Sequence, residues 1–160
     1  MNMSKDPDTL AQMMASSHLF DGIGIEDLKD LITEAKTVEA RAGHRLIAEG
    51  QFIDGLHLLV QGAVRITKAS GGQVADVQKG SFFGEISLFG TTLCATASVE
   101  SITPVTLVVI PRQVISVWFQ SHPQVETVFL RNLCVELCNR LEATTDKLGT
   151  AFRRITSYGG

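Results

Sequence analysis

The sequence holds little from which to build a metal centre, a nucleic-acid-binding face or a membrane span. Its 160 residues contain four His and three Cys. Cys94, Cys134 and Cys138 match no spacing that closes a tetrahedral site. They read as small buried hydrophobes of a reduced, cytoplasmic protein. Lys and Arg number 14 against 17 Asp and Glu, giving a net charge of -3, and they are scattered. Binders of DNA or anionic lipid concentrate positive charge on one face, so neither partner is expected. No run approaches the ~20 apolar residues that cross a bilayer. Met1-Asn2-Met3-Ser4-Lys5-Asp6 has no apolar leader core. Ser81, Ser87 and Ser98 have no adjacent His and lack the G-x-S-x-G setting of an activated nucleophile, so nucleophilic catalysis has little support.

What the chain does have is a change of period. Asp6-Pro7-Asp8 opens a helix with a proline near its first turn and acidic residues at its positive end. Ile25, Leu28, Leu31 and Ile32 recur at helical spacing and predict a second short helix. From Val38 the apolar residues fall into short runs punctuated by Gly43, Gly50, Gly55, Gly62, Gly71-Gly72 and Gly80. Turn signals every ~8–12 residues predict a β-sandwich or barrel, with Gly71-Gly72 closing a hairpin. Strands resume at Ala95–Ser101 and Val105–Ile110. Helix returns at Arg112, with Trp118 and Phe119 on its apolar face, and Ser121-His122-Pro123 breaks it.

The last helix is expected from about Gln124 to Leu148, with Gly149 as its stop and a loose tail at 149–160. It carries two apolar faces. Val125, Val128, Phe129 and Leu133 form one. Cys134, Leu137, Leu141, Thr144 and Leu148 step by three and four alternately and form the other, an a/d seam suited to a homodimer.

The most informative stretch is Phe83-Gly84-Glu85-Ile86-Ser87-Leu88, followed by Ala95-Thr96-Ala97-Ser98-Val99. A strand end, a glycine, a carboxylate and one helical turn aim main-chain N–H groups at a small anion. Glu85 is placed to accept from a sugar hydroxyl. Yet no Arg or Lys occurs from Phe83 to Val99. Arg45 and Arg65 lie on other strands and read as solvated charges.

This order resembles the cyclic-nucleotide-binding domain of catabolite-activator-type regulators, kinase regulatory subunits and gated channels. Ala42-Gly43-His44-Arg45-Leu46-Ile47-Ala48-Glu49-Gly50, Leu56 to Val64 and Gly80-Ser81-Phe82-Phe83-Gly84-Glu85 carry the match. The resemblance implies a mainly β protein with flanking helices: a β-roll, or jelly roll, of about eight strands, short N-terminal helices and a long C-terminal helix. It implies an N-terminal extension at 1–17, the domain at 18–148 with its dimerisation helix at 124–148, and the tail beyond. The implied ligand site comprises Phe83, Gly84, Glu85, Ile86, Ser87, Cys94, Ala95 and Thr96. Glu85 matches the glutamate that holds the ribose 2′-hydroxyl. Amides around Gly84, Ile86 and Ser87 match those that hold the cyclic phosphate.

Ala95 occupies the position of the arginine that pairs with that phosphate. Losing a bidentate charge-assisted contact costs about 2–4 kcal/mol, roughly 30–1000-fold in affinity. Three readings stay open: weak binding of cyclic AMP or cyclic GMP, binding of a less anionic effector, or a vestigial pocket on a ligand-free dimerising scaffold. A cupin-like metal enzyme built on His44 and His57 is a further rival, without a His-x-His pair to support it. The resemblance implies a regulator that needs no cofactor and performs no catalysis, whose ligand repositions the helices after Arg112 and Pro123. The chain also lacks room after that helix for a helix-turn-helix, so it is expected not to bind DNA itself, whether it is a stand-alone sensor or a fragment.

Overall fold

The structure is a computed structural model that describes residues 6–157. Residues 1–5 of the expected N-terminal extension and 158–160 of the expected tail lie outside the described residues. The helices are α1 (Pro7–Ala15), α2 (Ile25–Thr33), α3 (Glu85–Phe89), α4 (Arg112–Ser121) and α5 (Pro123–Ser157), with a 3-10 turn at His18–Phe20. The strands are β1 (Lys36–Ala40), β2 (Arg45–Ile47), β3 (Gly55–Gln61), β4 (Ala63–Lys68), β5 (Gly72–Gln78), β6 (Phe82–Phe83), β7 (Ser98–Ser101) and β8 (Val105–Pro111). They form two four-stranded antiparallel sheets, ordered β1-β8-β3-β6 and β2-β7-β4-β5, the β-roll with flanking helices that the sequence implies.

β3 and β8 are nearly continuous apolar runs because both of their faces are covered. One face, through Leu56, Leu58, Val108 and Ile110, joins the core under the helices. The other, through Leu59, Val105 and Leu107, points into the roll with Ile47, Ile53, Val64 and Val99. β6 divides in the same way. Phe82 faces the helical core and Phe83 the roll interior. The strand that leads into the Gly-Glu turn is therefore anchored from both sides.

α1 is capped by Asp6, whose carboxylate accepts from the Thr9 amide at 3.0 Å. Leu10, Ala11 and Met14 of α1 are buried with Leu56 and Leu58 of β3, so the first helix belongs to the same core as the roll. The Trp118 indole donates to the Asp27 carbonyl at 2.9 Å and ties α4 to α2. The Asn132 amide donates to the Leu19 and Asp21 carbonyls and fixes the near half of α5 on the 3-10 turn.

Two expectations are corrected. α5 does not stop at Gly149 but runs 35 residues to Ser157, about 52 Å of helix. Gly149 does not take a left-handed conformation there. A helical glycine costs only about 1 kcal/mol, and Ala151, Phe152, Arg153 and Arg154 continue the helix without a following proline. The three cysteines are exposed rather than buried. Cys134 and Cys138 lie on the side of α5 turned away from the body, and Cys94 lies in an edge loop.

Candidate ligand-binding site

The predicted site is built at one end of β6. Pairing of Phe83 with His57 and of Phe82 with Leu58 brings the chain along β3 to Gly84, which turns it with φ +94° into α3. A Cβ at Gly84 would stand 2.5 Å from the Gly55 carbonyl oxygen and 3.2 Å from His57 Nδ1. Only glycine fits that backbone and that space. His57 stacks on Phe83, with centroids 5.3 Å apart and planes 14° apart. Its Nδ1 is buried without a hydrogen-bond partner. Burial pulls the imidazole pKa below 6.5, opposed in part by the Gly55 backbone. The imidazole thus packs directly against the turn at Gly84.

The eight predicted residues separate into three groups. Phe83 and Ala95 sit inside the roll, in one apolar cluster. Ala95 is held there by its amide on the Gln51 carbonyl at 2.7 Å and by its carbonyl accepting from Gly50 at 2.8 Å. Glu85 and Ser87 are buried on the helical side of the turn, with Gly84 half-buried between the two groups. Ile86, Cys94 and Thr96 are exposed. Cys94 forms an isolated bridge with Phe52, and its amide donates to Thr92 Oγ1 at 3.1 Å. The first turn of α3 leaves the amides of residues 85–87 outside its own helical ladder.

Glu85 is 8% exposed and has a partner that the sequence reading missed. Arg140, from α5, donates through Nη1 to Glu85 Oε1 at 3.1 Å and through Nη2 to the Phe82 carbonyl at 2.9 Å. Its guanidinium lies 4.4 Å from the Phe82 ring centroid, and its Nε donates to Glu136 Oε1 at 3.0 Å. Burial raises the Glu85 carboxyl above 4.5, and the Arg140 charge opposes that rise. The cation absent from Phe83–Val99 is thus supplied by α5, where it pairs with the carboxylate. A periodic signal for Arg140 existed. It follows Leu133 by seven residues on the body-facing stripe that also holds Phe129 and Glu136. One helical turn-pair further on, the Lys147 ammonium donates to the Val74 carbonyl of β5 at 3.3 Å.

Arg112 is a second unpredicted connector. It donates to Asp54 Oδ1 at 3.2 Å and to the Ser87 carbonyl, linking the start of α4 to α3 and to the loop before β3. Arg65 is exposed and pairs with Asp76 on β5 at 2.8 Å, and Arg45 stands opposite Glu100 at a sheet surface. Among the described residues no group of three or more His, Cys, Asp or Glu gathers to hold a metal. Two concavities of about 370 Å³ lie elsewhere, one beside Glu39, Gln61 and Thr106 and one along α5 at Asp146–Arg154.

The model of the cyclic nucleotide-binding domain matches residues 37–122, more than half of the sequence. The chain belongs to the cyclic nucleotide-binding domain family. A CRP-like cAMP-activated global transcriptional regulator of Mycobacterium tuberculosis is 27% identical over 141 residues, covering 86% of this chain and 61% of that protein. Glutaminase 2 of Bradyrhizobium diazoefficiens is 28% identical over 123 residues, covering 77% of this chain but 19% of the enzyme. The chain therefore spans less than two thirds of the length of either relative. A cyclic nucleotide-binding domain from Methylobacillus flagellatus has the same fold, with a TM-score of 0.80, 21% identity and coverage of 90% of this chain and 85% of that one. Among the described residues no helix is long and apolar enough to cross a membrane.

Proposed function

We propose that this regulatory domain senses a small molecule of the cyclic-nucleotide class and reports occupancy through the position of α5. The observation that carries the reading is the Arg140 contact: one side chain of the long helix holds both Glu85 and the main chain of β6. A ribose hydroxyl that donates to Glu85 must share that carboxylate with Arg140. Binding is then an exchange of partners at Glu85, and it shifts α5 by the difference in affinity between latched and released states. Gly84, Glu85 and Ser87 are the residues assigned to the ligand, with Phe83 and Ala95 lining the roll beneath it and Ile86, Cys94 and Thr96 at the rim. No cofactor, catalysis or DNA contact is assigned, and the thiols fit a cytoplasmic setting.

The affinity is expected to be weak because Ala95 offers no guanidinium. Calorimetric titration of the chain with cyclic AMP and with cyclic GMP is the test. Saturable binding in the high micromolar to millimolar range is expected, as roughly 30–1000-fold loss from a micromolar ligand implies. Absence of saturation by either nucleotide, together with absence of any thermal shift at high concentration, removes the nucleotide reading.

A dimer through α5 belongs to the same proposal. Leu137 is 40%, Leu141 67% and Leu148 55% exposed, while Arg140 and Lys147 point to the body. The helix therefore carries two separate faces. The alternation of Cys134, Leu137, Leu141, Thr144 and Leu148 continues to Ala151 and Ile155, a longer seam than the sequence reading drew. Leu141→Glu, at an exposed position, is expected to leave the melting temperature of the roll unchanged and to weaken self-association at least ~100-fold, since a buried charge in a seam costs several kcal/mol. Sedimentation equilibrium reads the effect, and an intact Leu141→Glu dimer rejects the seam.

A further inference from the structure

Arg140, Arg112 and His57 all reach the turn at Gly84 or the helix that follows it, and the two arginines are engaged. Arg140 is held by Glu85, Glu136 and the Phe82 carbonyl. Arg112 is held by Asp54 and the Ser87 carbonyl. His57 is different. Its Nδ1 is buried and makes no hydrogen bond, and a Cβ at Gly84 would stand 3.2 Å from it. Folded proteins pair nearly all of their buried polar atoms, so an orphan of this kind needs a reason. Packing alone does not supply one. Phenylalanine in place of His57 would stack on Phe83 and bury no unpaired nitrogen.

The position of the ring supplies the reason. Strand alternation puts Leu56 and Leu58 in the helical core, and His57 on the opposite face of β3 with Leu59, toward the roll interior. Phe83, on which the ring stacks, belongs to the same interior cluster as Ala95. The imidazole therefore stands beside the part of the roll where no Arg or Lys is supplied from Phe83 to Val99.

We propose that His57 is the cationic partner of an anionic ligand in this site, and that it takes up a proton from solvent as the anion binds. This rests on the nucleotide reading above and adds the control of that site by pH. Burial favours the uncharged ring in the empty protein, and an anion close to the turn favours the charged one. The effect is reciprocal: the factor by which the anion raises the proton affinity of the ring is the factor by which the proton raises the affinity for the anion. The surroundings leave this exchange to the ligand. Phe83 and Val109, on the strands either side of His57, carry no charge, and the Gly55 backbone favours the protonated ring. The charged groups nearby are already paired, Glu85 with Arg140 and Asp54 with Arg112. Nucleotide is therefore held more tightly as the pH falls.

The test titrates the full chain with cyclic AMP in a calorimeter at pH 6.0 and pH 8.0, each in two buffers of different ionisation enthalpy. The difference between buffers counts the protons exchanged. Net proton uptake is expected at pH 6.0, with binding at least ~5-fold tighter than at pH 8.0. In His57→Gln both the uptake and the pH dependence should disappear. Magnetic resonance of the wild-type chain with labelled histidine reads the ring without that variant, and so holds even if His57→Gln does not fold. Of the four His, one should titrate at higher pH once cyclic AMP is added, and its shift should persist in His18→Gln, in His44→Gln and in His122→Gln. If cyclic AMP binds equally at both pH values, if His57→Gln keeps the dependence, or if the shift vanishes with one of the other three histidines, His57 is not the cation and the nucleotide reading stands. If cyclic AMP binds at neither pH, the nucleotide reading fails and this inference with it.

Discussion

Ala95→Arg is expected to tighten cyclic AMP binding by roughly 30–1000-fold, the equivalent of about 2–4 kcal/mol. The same substitution should destabilise the free protein. Ala95 is 5% exposed and packs inside the roll with Ile53 and Val99. A guanidinium introduced there has no anionic partner until ligand arrives. It must either lie desolvated, at a cost of several kcal/mol, or extend its charged end toward solvent and strain the 94–96 loop. The signature is therefore paired: a lower melting temperature without nucleotide and a larger rise with it. Ala95→Lys should recover less of the affinity, because an ammonium lacks the planar fork that grips two phosphate oxygens. Ala95→Met should destabilise through bulk and recover none. Calorimetry on the three variants checks the set. A folded Ala95→Arg protein with unchanged affinity would mean that the roll interior under Gly84 does not receive a phosphate.

The sequence was most readable where structure is local. The glycines between short apolar runs marked the turns of the roll. Gly84 was legible as the residue that bends the chain toward α3, and its collision course with the Gly55 carbonyl supplies the reason. The spacing of Leu137, Leu141 and Leu148 marked a second apolar face of the last helix, and these residues are exposed while Phe129 and Leu133 are buried. Long-range contacts were not legible. Glu85 and Arg140 are 55 residues apart, and nothing between them indicates that α5 crosses the end of β6. A charge at the next step of a buried stripe, after Leu133, is ambiguous in sequence, because stripes end where a helix leaves its core. The inward or outward sense of the short 93–96 segment was equally hidden. It pairs through single bonds with the 50–53 loop, so no alternation is long enough to reveal that Ala95 points in while Cys94 and Thr96 point out.

Arg140→Gln is expected to uncouple the long helix from the turn and to make stability depend steeply on pH. The guanidinium stabilises Glu85 by charge, the Phe82 carbonyl by a hydrogen bond and the Phe82 ring by a cation–π contact. Glu85 is almost fully buried, so its ionised form is left uncompensated when the cation is removed. With solvent screening on the partly exposed Arg140 side, a loss of about 1–3 kcal/mol near pH 8 is expected. Burial already raises the Glu85 carboxyl above 4.5, and Arg140 is the main influence that opposes the rise. Without Arg140 the folded-state pKa moves higher. A carboxyl whose pKa is raised on folding favours the folded state below its unfolded value, and that advantage is lost as pH rises through the folded one. The variant should therefore approach wild-type stability near pH 4.5 and fall progressively behind it toward pH 8. Glu85→Gln in the same chain should abolish the slope, and the double variant should regain much of the stability at pH 8, because the charge that needed compensation is gone. Urea denaturation across that pH range measures all three. Hydrogen exchange supplies the functional half. Amides of α5 beyond Glu136 should exchange at least tenfold faster in Arg140→Gln, and nucleotide should no longer alter them. A variant with wild-type stability at pH 8 and unaltered exchange would show that α5 is held by its apolar contacts alone, and that Glu85 has no line of communication to it.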